Sequence, residues 1–151
     1  MLKKLLFVAF LFVVIVFIFS LFQEKPEVIS ARNEKDLLNV TSPPQEVASI
    51  LEKSCYDCHS LETVYPSYAS YFPISLLINN HVEEGRENAN FSVWADYNSE
   101  SKKHILEEAI EEIEEEKMPM SSYTLLHSEA KLNPNQKQTL LNWLKMQKEK
   151  L

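Results

Sequence analysis

The pattern of apolar and polar positions divides the chain near its start. Leu5 to Phe22 form an apolar run of eighteen residues, interrupted only by Ser20 near its end. At 1.5 Å rise per residue such a run reaches about 27 Å as a helix, enough to cross the hydrocarbon core of a bilayer. Lys3 and Lys4 precede it, and positive residues stay on the cytoplasmic side. The run is longer than a usual signal-peptide core, and bulky residues stand where a peptidase needs small ones. The pattern predicts an uncleaved single-pass anchor over residues 1–22 in the cytoplasmic (inner) membrane. A cleaved signal peptide is the alternative. Either way the remainder is expected on the periplasmic, extracytoplasmic side.

Beyond the run, Gln23 to Thr41 is polar with little periodicity, and residues 23–41 read as a tether. A single domain is expected over 42–151. Ser42 offers an N-cap, with Pro43 at the first helical position and Gln45 three residues after Ser42. Val47, Ile50 and Leu51 then recur at helical spacing. Leu61 to Phe72 shows no strand alternation and reads as loop and short helix. Ile74 to Val82 predicts another short helix, which Gly85, the only glycine in the chain, is expected to end in a left-handed cap. Ser99 or Ser101 is expected to cap a longer helix whose apolar stripe is Ile105, Leu106, Ala109, Ile110 and Ile113. Its other face is almost all glutamate. Acids in the last turn oppose the macrodipole, so fraying is expected over Glu114 to Glu116. Pro119 keeps Met118 out of helical geometry and is expected to stop the helix. Asn133-Pro134 opens a final helix with Leu140, Leu141 and Leu144 on its inner face. The expected fold class is all-α.

Charge narrows the partners. The chain carries 15 Lys and Arg against 22 Asp and Glu. Lys3 and Lys4 lie before Gln23, so the exported part has 13 against 22, a formal −9. That balance excludes nucleic acid as a ligand, since phosphates need basic contacts. It permits steering toward a basic docking face on an exported redox partner.

The chemistry is concentrated in Cys55-Tyr56-Asp57-Cys58-His59, which holds both cysteines of the chain. C-x-x-C-H is the spacing for covalent attachment of one c-type haem: Cys55 and Cys58 add across the porphyrin vinyl groups as thioethers, and His59 supplies the proximal imidazole. A redox dithiol does not need the trailing histidine, and zinc would need a second pair of ligands that two cysteines cannot supply. A haem iron held by His59 alone keeps an open sixth position, and the candidates are Met118, Met120, His81, His127, His104 and Met146. Met118 is favoured, because the adjoining Pro119 holds it on a segment outside a helix. Met120, His81 and His127 remain alternatives. A methionine can equally be packing.

Several separate blocks resemble the haem-binding domain family of small exported, cytochrome-c-like monohaem proteins. They are Cys55 to Ser60, Tyr65-Pro66, Pro73-Ile74-Ser75, His81-Val82 with Glu84-Gly85-Arg86, Asn90-Phe91-Ser92 with Trp94, Met118-Pro119, Tyr123 to His127, and the closing stretch from Leu132 to Trp143. The resemblance implies a cytochrome-c-like helical domain around one covalent haem, with His59 as proximal ligand and Met118 in the family's Met-Pro. Ser67, Leu76 and Leu77 depart from it, standing where larger aromatics are expected, and Met120 adds a second thioether. The expected role is one-electron transfer between exported redox proteins, an electron carrier more than an enzyme. The rival is a haem peroxidase or a gas or redox sensor with an open or displaceable sixth site.

Overall fold

The computed structural model describes residues 1–22, 27–29 and 31–151. Among the described residues eight α-helices follow one another: α1 (Leu2–Ser20), α2 (Leu37–Thr41), α3 (Gln45–Ser54), α4 (Tyr56–His59), α5 (Ile74–Asn88), α6 (Ser99–Glu114), α7 (Ser121–Thr124) and α8 (Pro134–Glu149). Short 3-10 turns cover Ser67–Ser70, Phe91–Asp96 and Ser128–Ala130, and no strand occurs among the described residues. The all-α expectation holds. Over the span Leu2–Phe19, α1 is long and apolar enough for a membrane span or a signal sequence, and none of that span is buried.

The core closes where α8 packs against both α6 and α3. Leu140, Leu141, Trp143 and Leu144 of α8 meet Ile105, Leu106, Ile110 and Ile113 of α6 and Val47, Ile50 and Leu51 of α3. α8 starts as its sequence demands: the Asn133 side chain accepts from the Gln136 N–H at 2.9 Å, and the Gln136 side chain accepts from the Asn133 N–H at 3.0 Å. This capping box satisfies two donors that the first turn would otherwise leave open.

Several local expectations are overturned. Ser42 does not cap α3; it ends α2 in a left-handed conformation, φ 44°. Pro44 forces Pro43 into extended geometry, so helix can begin only after the second proline, and α3 starts at Gln45. The tether expected over 23–41 is in part folded domain. Gln23 to Pro26 and Ser30 lie outside the described residues, but Leu37 and Leu38 are in the core and Asp36 is fully buried. Asp36 Oδ1 accepts from the Leu38 N–H at 2.9 Å and from the Tyr56 hydroxyl at 2.7 Å, which binds this segment to α4.

Pro119 does not stop α6. The helix ends by itself at Glu114, with Glu116 left-handed at φ 61°. The Lys117 N–H donates to the Glu112 carbonyl at 2.9 Å and the Glu116 N–H to the Ile113 carbonyl at 3.2 Å. This is a Schellman ending with glutamate in the place that glycine usually takes. Glu115 and Glu116 lie outside the helix, where fraying is expected, while its last residue is held. From α8, Lys137 Nζ donates to the Glu114 carbonyl at 3.1 Å, and Lys145 Nζ reaches the Glu114 carboxylate at 2.6 Å. Cations from the neighbouring helix answer the acids that oppose the dipole. Asn98, and neither expected serine, caps the start of α6 through the Ser101 N–H at 2.8 Å.

Gly85 is a further correction. It lies inside α5, which continues to Asn88, and no glycine has positive φ. A Cβ at this position would stand 2.7 Å from the Cys58 carbonyl oxygen. The glycine is there for close approach between α5 and α4, not for a turn.

Candidate functional site

α3 leads into the motif through a kink at Cys55, φ −130° and ψ −39°, and α4 is a single turn. The kink puts Cys55 and His59 on one flank of α4 and Asp57 and Cys58 on the other, bordering different cavities. The first cavity is a cleft of about 510 Å³. Its walls include Cys55, His59, Phe91, Ile105, Ala109, Ile113, Met118 and Leu140, with Glu108, Glu111 and Glu112 from α6. The second, about 140 Å³, is bordered by Cys58, His81, Met120, His127 and three tyrosines, Tyr65, Tyr68 and Tyr123.

His59 is oriented from behind. Its Nδ1 lies 3.1 Å from the Ala89 carbonyl, which can only accept, so the proton is on Nδ1 and Nε2 keeps its lone pair. Its ring stacks on Phe91 with centroids 5.5 Å apart and planes 26° from parallel. Burial pushes its pKa below the usual imidazole value, while the Ala89 and Gly85 carbonyls work the other way. The ring is thus held neutral, as a metal ligand must be. Gly85 makes this possible: only without a Cβ can α5 come close enough to bring the Ala89 carbonyl to the imidazole.

The loop after the motif is clamped by groups to which the sequence reading gave no role. Arg86 Nε donates to the Ser60 carbonyl at 2.8 Å, and its Nη2 donates to Thr63 Oγ1 at 3.1 Å. Ser60 is fully buried, donates to the Tyr56 carbonyl at 2.7 Å and accepts from the Glu62 N–H at 2.9 Å. Asp57 accepts from the Tyr123 hydroxyl at 2.6 Å and from the Val64 N–H at 2.9 Å, tying α7 to the motif across 66 positions. Arg32 braces the far side. It holds Glu62 through two bonds of 2.9 Å and Glu52 at 3.0 Å, and lies 4.9 Å over the Tyr56 ring. The partners that Arg86, Tyr123 and Arg32 reach are 20 to 66 positions away, so no local pattern announces those contacts. The signals present were the lone Gly85 and the resemblance blocks that hold Asp57, Ser60, Arg86 and Tyr123.

The structure separates the candidate sixth ligands. Met118 borders the cleft that His59 borders. Met120, His81 and His127 border the smaller cavity beyond α4. His127 is occupied: Tyr68 Oη lies 3.0 Å from its Nε2, Glu129 lies 3.5 Å from its Nδ1, and its ring stacks on Tyr123. His104 is 70 % exposed beside Glu108, and Met146 is exposed.

The cysteines form no disulfide. Burial pushes the Cys55 thiol up to about 12 and the Cys58 thiol up to about 11. A redox dithiol works through a stabilised thiolate, and these surroundings oppose one. Among the described residues no group of three or more His, Cys, Asp or Glu could hold a metal ion. The donor set suits a haem instead. A cleft of this size is within the range of roughly 300–1,000 Å³ for sites that enclose organic ligands. It is lined mainly by apolar side chains and presents one oriented, neutral imidazole.

An all-helical domain with such a cleft can house a haem. Family comparison agrees: the haem-binding domain family matches residues 10–146, and the chain belongs to it. No curated protein and no solved structure matches the chain.

Proposed function

We propose that this chain is a membrane-anchored, c-type monohaem electron carrier. The observation that carries the reading is the shared cleft, with oriented His59 and the Met118 thioether on its walls. Cys55 and Cys58 hold the haem covalently, which requires the Cys58 thiol to turn from the smaller cavity toward the cleft. His59 and Met118 would supply the two protein ligands to its iron. The bound haem supplies a reversible one-electron couple, and a His/Met pair raises its potential relative to two imidazoles. The chain's own part is to exclude water with Phe91, Ile105, Ala109 and Ile113 and to keep both ligands in place. No general acid or base is called for.

The packing of α3 against α8 beside the motif supports a cytochrome-c-like arrangement. α1 is the anchor, with Lys3 and Lys4 on the cytoplasmic side and the domain on the extracytoplasmic side. Glu108, Glu111 and Glu112 on the cleft wall suit an exported redox partner with a basic docking face, steered by charge.

Optical spectra of the protein made with a cytochrome c maturation system test the reading. Haem should stay with the polypeptide through acidified organic extraction, and the oxidised protein should be low-spin with the far-red iron–thioether band. Met118→Ala should abolish the band and lower the potential, while Met120→Ala leaves both in place. A high-spin wild type that binds carbon monoxide readily would overturn this in favour of a haem enzyme or sensor.

A further inference from the structure

Among the described residues beyond Phe22, eleven large apolar side chains are exposed, and seven of them lie in three segments: Val64, residues 71–77 and Leu125-Leu126. Val64, Ile74, Leu77 and Leu126 all border the mouth of the smaller cavity. Tyr71, Leu76 and Leu125 adjoin them in sequence. Val64 is 74 % and Leu125 82 % exposed, so solvent meets nearly whole side chains. A contiguous apolar face of this kind marks an interaction surface.

We propose that this face rests on the bilayer and inserts its apolar side chains among the lipids, turning the haem cleft toward the aqueous side. The proposal rests on the reading of α1 as a membrane anchor. Phe19, in the last turn of α1, meets Phe72 edge-on with ring centroids 5.2 Å apart, so the anchor leaves the membrane at this patch. The chain is pinned again at Ile29, whose N–H donates to the Leu61 carbonyl at 2.7 Å, three positions before Val64. Ile29 is ten positions after Phe19, a reach of about 36 Å even when fully extended. The domain therefore cannot leave the interface, and its apolar face lies where the tether begins and ends.

Charge favours lipid contact of the apolar kind. The exported part is acidic, so it is not drawn to anionic headgroups. The cavity mouth carries little charge: among the described residues Asp57 is the one carboxylate bordering it, and its oxygens are engaged by Tyr123 and Val64. Tyr65 and Tyr68 border the same mouth, and tyrosine is at home in the headgroup layer. The smaller cavity and the cleft have no wall residue in common and lie on either flank of α4. A face-down domain thus presents its haem cleft to soluble partners.

The test uses full-length haem-loaded protein in phosphatidylcholine vesicles with and without brominated acyl chains, which quench tryptophan on contact. Leu126→Trp and, independently, Leu77→Trp are compared with Val40→Trp on an exposed site outside the patch and Phe10→Trp within the anchor. Trp94 and Trp143 are buried and give a constant background. The ratio between the two vesicle types removes quenching by the haem. Expected is a blue shift and loss of most of the added emission for Leu126→Trp, Leu77→Trp and Phe10→Trp, with no loss for Val40→Trp. Quenching of Phe10→Trp alone would overturn the proposal and leave the patch to a protein partner. No quenching even at Phe10→Trp would overturn the anchor reading, and the proposal with it.

Discussion

Gly85→Ala would place a methyl group 2.7 Å from the Cys58 carbonyl oxygen, 3.1 Å from its carbonyl carbon and 3.2 Å from its Cβ. Ordinary contact begins at 3.4 Å, so α5 and α4 must separate by about 0.7 Å, the difference from 2.7 Å. Two effects compete. Alanine is the better helix former inside α5, by about 1 kcal/mol. Overpacking costs about 1–3 kcal/mol, and the upper part of that range applies, because the oxygen belongs to backbone and cannot swing aside. The net expectation is destabilisation by about 1–2 kcal/mol, a fall in Tm of roughly 3–6 °C for a domain of this size. A second consequence follows from the same displacement. The Ala89 carbonyl moves off His59 Nδ1, so the imidazole loses its fixed orientation. Thermal melts of the full-length protein in detergent would be read together with the haem spectrum, using Glu84→Ala on the exposed side of α5 as control. A rise in Tm for Gly85→Ala with an unaltered spectrum would refute the close-approach argument and show that propensity alone matters there.

Glu116→Gly should stabilise the protein by about 1 kcal/mol, since left-handed geometry penalises any Cβ and the substitution removes a charge that opposes the α6 dipole; the midpoint of chemical unfolding should rise at constant slope. Tyr56→Phe removes the 2.7 Å hydrogen bond to Asp36 and should cost about 1–3 kcal/mol. Burial raises the Asp36 carboxyl above its usual range, while Tyr56, the Leu38 N–H and Arg32 lower it. A raised carboxyl favours folding below its ordinary pKa, and that contribution is lost as pH rises through the folded value. Without the Tyr56 donor the folded value rises further, so unfolding curves should show a larger penalty at neutral than at acidic pH; an equal penalty at both would sink this reading of Asp36.

The features legible in the sequence are those that local chemistry completes. C-x-x-C-H needs only its own five residues to declare its cofactor. The apolar run of α1 is continuous, and Asn133, Pro134 and Gln136 meet within one turn, so α8 was readable from its first residues. The stripe of α6 was equally plain. What the sequence could not decide involves partners far apart along the chain. Gly85 is conspicuous as the only glycine, yet a glycine serving a turn and one serving close approach look alike until the Cys58 carbonyl stands opposite. Leu37 and Leu38 pass for tether because Asp36 between tether and helix is polar, and only Tyr56, 20 positions away, makes its burial tolerable. Met118 and Met120 are near neighbours with the same side chain. The left-handed turn at Glu116 and the bond from Tyr123 to Asp57 direct the intervening segment so that one methionine borders the His59 cleft and the other the opposite cavity. Spacing along the chain names the chemistry here, but which side of a single helical turn each side chain occupies is a property of packing, and packing is set by all the elements at once.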